Sequence, residues 1–437
     1  MRRYLKKRSV LKTCHIYTML ESTAKKRHLS FHTPGHKIGK WDVTELSYSD
    51  NLSAPRGCIK AAETDVSALV GSHKSFLLTD GSTSGVLAML HAAKSLGVKT
   101  IAVSERSHKS VFNGCALLGI TPLLLPTSTK ENIPLPITRY ALSDFDGVLA
   151  AADALLLTSP DYYGNVADLA AVRAYCDKTK KLLLIDGAHG GHLRFEKEVY
   201  AGTYADMWVD GVHKSLPAFT QGALLSARDE TTAEALGKAV DVFRTTSPSY
   251  PIMASVEYAV KYPRNEWLET AVADLKAADN RFYQNTDYTK LVAKFGKTAF
   301  DADAYLQSLG IYSEFCDGNV ITFYLSPATT KRDFKRLCRA LKKVFIAYPL
   351  QVKDGGVYEN TDCIPTEQIS GETEWVQVEE SVGRICMADC GLFPPCTPLL
   401  RRGERITSEK AELLLRADNV FGVKENKIAV LKKTDGE

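Results

Sequence analysis

Four short segments carry residue types whose chemistries complement one another. In Val212–His213–Lys214–Ser215–Leu216–Pro217, a short apolar run precedes the lysine and a proline follows it, which places Lys214 on a tight turn at a sheet edge. A partly desolvated amine facing a cationic group has a lowered pKa and is a better nucleophile. Asp186–Gly187–Ala188–His189 directly follows the apolar run Leu182–Ile185. Ligands bind at the carboxyl ends of parallel strands, and a carboxylate there can accept a hydrogen bond from a protonated ring nitrogen. Asp80–Gly81–Ser82–Thr83–Ser84–Gly85 lies between a strand-like and a helix-like stretch. Its two glycines permit close backbone approach, and its three hydroxyls join the free N–H groups of a helix start in a phosphate cradle. In Ser107–His108–Lys109–Ser110 the imidazole follows another apolar run, where it can lie flat against an aromatic ring.

Each segment also has a plain structural reading. A strand-end aspartate caps the next turn, a lone lysine sits on the surface, the Gly-Ser-Thr-Ser stretch is an N-cap with a turn, and the histidine caps a helix. The order along the chain is phosphate cradle, stacking His108, strand-end Asp186, then Lys214. No one of the four is decisive; among them, a strand-end carboxylate is the partner needed by the protonated ring of pyridoxal 5'-phosphate, an electron sink.

The elements that must position these residues alternate between strand and helix. Phe76–Thr79, Thr100–Ser104, Ile120–Leu125, Ala154–Thr158, Lys181–Ile185, Met207–Val209 and Gly222–Ser226 read as strands. Ser84–Leu96, Ser110–Leu118 and Leu169–Lys178 read as helices between them. Short, continuously apolar strands separated by helices imply a mostly parallel sheet covered on both faces, an α/β fold. After Pro248 the pattern changes: Met253–Phe282 reads as one long helix, and helices at Ala302–Ser308 and Lys331–Val344 surround a strand at Val320–Tyr324. This predicts a smaller α+β domain. Pro394, Pro395 and Pro398 force an extended turn near the end of the chain.

The bulk numbers bound the function class. The 437 residues suit two or three domains, and 45% hydrophobic with 24% charged residues is ordinary for a globular protein. No apolar run approaches the ~18 residues of a membrane span. The net charge of +4 is small, and Arg2, Arg3, Lys6, Lys7 and Arg8 read as a solvated start rather than a nucleic-acid arm, since no aromatic-interleaved basic patch accompanies them. The ten cysteines include no CxxC pair, which argues against a metal site, and their scatter fits a reducing cytoplasm.

With these local sequences, the order of segments resembles the Orn/Lys/Arg decarboxylases, fold-type-I pyridoxal-phosphate enzymes related to the aminotransferases. The resemblance begins at Phe31–His–Thr–Pro–Gly–His–Lys37 and Asp42–Val–Thr–Glu–Leu46. It continues through Gly81–Gly85, Ser107–Val111, Asp186–His189, Val212–Pro217 with Gln221, and Thr245–Thr–Ser–Pro–Ser–Tyr250. It ends at Pro394–Pro–Cys–Thr–Pro398 with Gly403–Glu404. Residues 260–380 match only weakly.

The resemblance implies an N-terminal arm at 1–50, a large cofactor-binding domain at 51–285 and a small α+β domain at 286–437. It assigns Lys214 to the covalent cofactor link, with His213 beside it, and Asp186 to the pyridine nitrogen, with Ala188 and His189 alongside. It assigns His108 to ring stacking and Ser82, Thr83 and Ser84 to the phosphate. Thr245, Thr246 and Ser247 would complete the phosphate cup of a partner subunit, which implies a homodimer or larger homo-oligomer. The implied reaction is decarboxylation of arginine, lysine or ornithine, with polyamine synthesis as a destination for the amine, in a compact member without a receiver-like N-terminal domain. Transamination, another lyase step and a silent cofactor-binding regulatory subunit are the alternatives. Against the family pattern, Gly187 stands for an acid, Gly211 for Ser or Thr, Val86 for Asn, Ala388 for Glu and Cys396 for Gly. Arg384 is the one arginine left open as a substrate-carboxylate clamp.

Overall fold

The computed structural model describes residue 5 and residues 7–26, 28–38, 41–130, 133–137, 145–351, 371–417 and 419–432. Its centre is a seven-stranded sheet: β1 (Lys74–Leu78), β2 (Thr100–Ser104), β3 (Thr121–Leu125), β4 (Ala154–Thr158), β5 (Leu182–Gly187), β6 (Met207–Asp210) and β7 (Ala223–Ala227). The spatial order is β1-β7-β6-β5-β4-β2-β3. β7 runs antiparallel to both its neighbours, and the remaining pairs are parallel.

Successive residues of the central strands enter opposite cores, as a pleated strand requires. Leu155, Leu157, Leu183, Ile185 and Trp208 pack on one face, and Ala154, Leu156, Leu184, Met207 and Val209 on the other. Burial on both faces is why these runs are apolar without alternation. The first face also takes the N-terminal arm, through Leu5, Leu11, Ile16, Tyr17 and Leu20. Glu257 fixes this arm by accepting from the His15 and Ile16 N–H groups at 2.6 and 2.9 Å, while Lys261 pairs with Glu257 at 2.9 Å and Asp65 at 2.6 Å. Lys7 and Arg8 are exposed, as expected of a solvated start, while Leu5 and Leu11 pack inward against the core; Arg2, Arg3 and Lys6 lie outside the described residues.

The long helix expected at Met253–Phe282 is two helices, Tyr250–Val260 and Glu266–Ala278. Pro263 lacks an N–H and disfavours helical geometry at Tyr262, and Asn265 restarts the chain by accepting from the Leu268 N–H. Beyond it, strands Lys290–Lys294, Val320–Tyr324 and Phe315–Cys316 form a three-stranded antiparallel sheet. Helices Glu266–Ala278, Ala299–Ser308 and Lys331–Ala347 share a core with it. A separate core forms around strands Thr373–Gln377 and Lys427–Leu431 and helix Ser408–Arg416. No helix among the described residues is long and apolar enough to cross a membrane.

Candidate active site

The carboxyl ends of β4, β5 and β6, with helix starts after β1 and β2, surround a cavity of about 310 Å³. Asp186 ends β5 and is buried; one carboxylate oxygen accepts from the Ala188 N–H at 3.2 Å. Burial raises its pKa and Lys214 opposes the rise. The turn-capping and ligand-facing readings of Asp186 thus hold together, since it does the first while lining the cavity.

Lys214 sits in a one-turn helix, Val212–Ser215, just after β6. That turn is tied to β7 because the Gly222 carbonyl accepts from His213 twice, from N–H at 3.1 Å and Nδ1–H at 2.9 Å. The Lys214 Nζ points inward, 3.2 Å from His189 Nε2 and 5.6 Å from the Tyr162 ring centroid. Burial pushes its pKa down, with Lys290 adding to the fall and Asp186 opposing it.

Two of the departures noted in the sequence meet here. A Cβ on Gly211 would lie 2.4 Å from the Ala188 carbonyl oxygen, and one on Gly187 3.1 Å from that of Val209. Gly211 therefore has no room for a side chain against the Ala188 backbone, and Gly187, at the end of β5, has only a tight fit against β6.

His108 caps helix Lys109–Leu118: its Nδ1 accepts from the Ser110 N–H at 3.1 Å, while the ring lines the cavity. Burial, assisted by Lys214 and Lys109, pushes its pKa down to about 4, so the ring is neutral at physiological pH. His189 is fully buried, stacked at a tilt on Tyr162 with centroids 4.3 Å apart, and burial holds its pKa well below the ordinary value.

Ser82 and Thr83 occupy the first turn of helix Gly81–Ser95 and line the cavity. Asp80, at the N-cap, makes no side-chain cap and instead accepts from the Thr245 N–H at 3.3 Å. That helix start remains open to an anion. Ser84 does not line the cavity; its hydroxyl donates to the Gly81 carbonyl at 2.9 Å. Thr245, Thr246 and Ser247 do not line it either, and the last two are exposed. Arg384 lies elsewhere, paired with Glu374 and the Leu431 carbonyl, so it clamps no substrate here.

Tyr162, Thr158, Phe393 and Cys396 also line the cavity without a role assigned from sequence. Thr158 and Tyr162 were findable by the rule that located Asp186, since β4 ends beside β5 with Thr158 opposite Asp186. Cys396 arrives on the proline-rich turn, at a φ of 61°, and its carbonyl accepts from the Lys109 N–H at 3.0 Å.

The cavity offers an open helix start, a neutral imidazole face, a buried carboxyl and an inward amine. Thr158 Oγ1 and His189 Nδ1 are buried without a hydrogen-bond partner among the described residues. These features fit a phosphorylated pyridine aldehyde.

The chain is similar to known proteins over most of its length. A Bacillus subtilis protein named uncharacterized protein YaaO is 29% identical over 92% of this chain and 93% of its own. An arginine decarboxylase of the same organism is 26% identical, with the same coverage of each chain. The Escherichia coli constitutive lysine decarboxylase structure superposes with a TM-score of 0.71 at 18% identity, covering 97% of this chain and 82% of that one. The profile of the Orn/Lys/Arg decarboxylase major domain matches residues 40–286, more than half the chain. The protein belongs to the Orn/Lys/Arg decarboxylase family.

Proposed function

We propose that the protein decarboxylates a basic amino acid, converting arginine, lysine or ornithine and a proton to the corresponding amine and carbon dioxide. The family is pyridoxal-phosphate dependent. When bound, this cofactor supplies an electron sink for the pair left by the departing carboxylate.

The chain's own residues supply the rest. The lowered pKa of Lys214 favours the free amine needed for a covalent link. Asp186 would hold the proton on the ring nitrogen, and His108 would offer its flat neutral face to the ring. Ser82 and Thr83, with the open helix start, bind the phosphate. Thr245, Thr246 and Ser247 lie outside their own chain's cavity, in keeping with a role toward a partner's site in a homodimer. A place in polyamine synthesis would follow from the amine product.

The observation that carries the reading is the composition of the cavity wall. Beside Asp186 it presents the amines Lys109 and Lys214, and no arginine among the described residues. A carboxylate that must leave as carbon dioxide is better left without a bidentate guanidinium partner, which would stabilise it in place.

The experiment measures carbon dioxide released from arginine, lysine and ornithine by cofactor-loaded protein, with Lys214→Ala alongside. Release from one substrate, lost in the variant, supports the proposal. A 2-oxo acid product, or no turnover despite Lys214-dependent visible absorbance, refutes it.

A further inference from the structure

Beneath the cavity lies a lysine that the chemistry above leaves unused. Lys290 opens the strand Lys290–Lys294 of the small sheet and is fully buried. Its Nζ donates to Thr289 Oγ1 at 2.8 Å, approaches Asp287 Oδ2 at 3.3 Å and reaches the His189 carbonyl at 3.4 Å. It also lies 4.5 Å from the centroid of the Tyr324 ring, whose own edge contact is with His189 at 5.6 Å. Asp287 accepts from His192 Nε2 at 2.8 Å, and Lys276 donates to the Asp287 carbonyl at 3.0 Å.

The network therefore grips the turn after β5 twice, at the His189 carbonyl and at the His192 ring. Burying a charge costs several kcal/mol, and apolar packing of the same volume would often stabilise the fold as well or better. Lys290 lies one residue away from the nucleophile, since His189 Nε2 meets Lys214 Nζ at 3.2 Å.

We propose that Lys290 is a positioning residue, setting through the His189 carbonyl and Asp287 where the His189 imidazole meets the Lys214 amine. The inference rests on Lys214 being the cofactor-linking lysine. Electrostatics reinforces the geometry. Lys290 pushes the pKa values of Lys214 and His189 further down, secondary to burial. Asp186, Glu314 and Cys396 act on Lys214 in the opposite sense. Around Lys290 itself stand Asp287, Lys276, Glu314 and His189.

The test is a pH titration of the visible absorbance of the cofactor–lysine link in holoenzyme. Lys290→Met removes a positive charge and should raise the apparent pKa by about half a unit or more, whereas Asp287→Asn should lower it. Lys290→Arg keeps the charge and should restore the wild-type value to within about 0.3 units. A folded, cofactor-loaded Lys290→Met with an unmoved titration overturns the proposal and leaves Lys290 a staple between the two sheets. If Lys290→Met does not fold, an unmoved or raised titration in Asp287→Asn overturns it equally. Wild-type protein that forms the link but releases no carbon dioxide would sink the proposed reaction while leaving this inference intact.

Discussion

Restoring the side chain usual in the family at position 211 should damage this protein. A Cβ there would stand 2.4 Å from the Ala188 carbonyl oxygen, 3.2 Å from its carbon and 3.2 Å from its Cα. All three are backbone atoms, so no rotamer change relieves the overlap. Ala188 lies between Asp186 and His189, and displacing it moves the buried carboxyl and the imidazole that meets Lys214. Forced overpacking of this kind costs about 1–3 kcal/mol. If cofactor binding must pull the turn back, the same energy weakens affinity by roughly 5- to 150-fold, at 1.4 kcal/mol per tenfold. Gly211→Ala and Gly211→Ser would be compared with wild type by urea unfolding and by cofactor titration at the visible band. Gly147→Ala is the control: it lies in helix Asp146–Ala151 with nothing within 4 Å of the added Cβ. That control should be neutral or more stable by up to about 1 kcal/mol. A Gly211→Ser protein with wild-type stability and cofactor affinity within about twofold would refute the reasoning.

Glu63 is buried and accepts from the Leu77 N–H at 3.2 Å; burial raises its pKa from 4.5 to about 7. Because the folded pKa is the higher one, wild-type stability from this group is full below 4.5 and is lost as pH rises through about 7. Glu63→Gln keeps the acceptor but not the charge, so its stability relative to wild type should climb across that window, by at most on the order of 3 kcal/mol; parallel unfolding curves at every pH would refute this. His108→Asn keeps a good N-cap while removing the ring. Its stability should stay within about 0.5 kcal/mol of wild type while cofactor dissociation, followed by loss of visible absorbance, becomes faster; a large loss of stability with unchanged dissociation would show that capping is the main role of His108. Arg384→Ala removes a partly buried pair with Glu374 that is not part of the cavity wall. KM for the best substrate should not change, and a rise of tenfold or more would return Arg384 to the carboxylate.

Much of this molecule was legible because its signals are local. β2 and β4 were read with the boundaries they have, Thr100–Ser104 and Ala154–Thr158, and the other central strands within a few residues. Strands buried on both faces must be apolar throughout, and short apolar runs separated by helical stretches admit few other folds. By the same logic Asp186, Lys214, His108, Ser82 and Thr83 were placed after strands or at helix starts, and all of them, with His189 from the resemblance, line one cavity. The break at Pro263 was missed, because helical patterning continues on both sides of it.

What only the tertiary structure decided are relations between segments far apart in the chain. That a side chain at Gly211 would strike the carbonyl of Ala188 depends on how closely the turns after β5 and β6 approach. That Thr245 faces Asp80 and Arg384 faces Glu374 depends on which loops the packed cores bring together. Lys290, opening a strand in the weakly matching stretch 260–380, gave no motif; its burial beside His189 exists only once the small sheet docks on the large one. Backbone geometry and hydrophobic period are written within a few residues of each position. Electrostatic fields and close approaches are set by distance in space, which the folded chain alone defines.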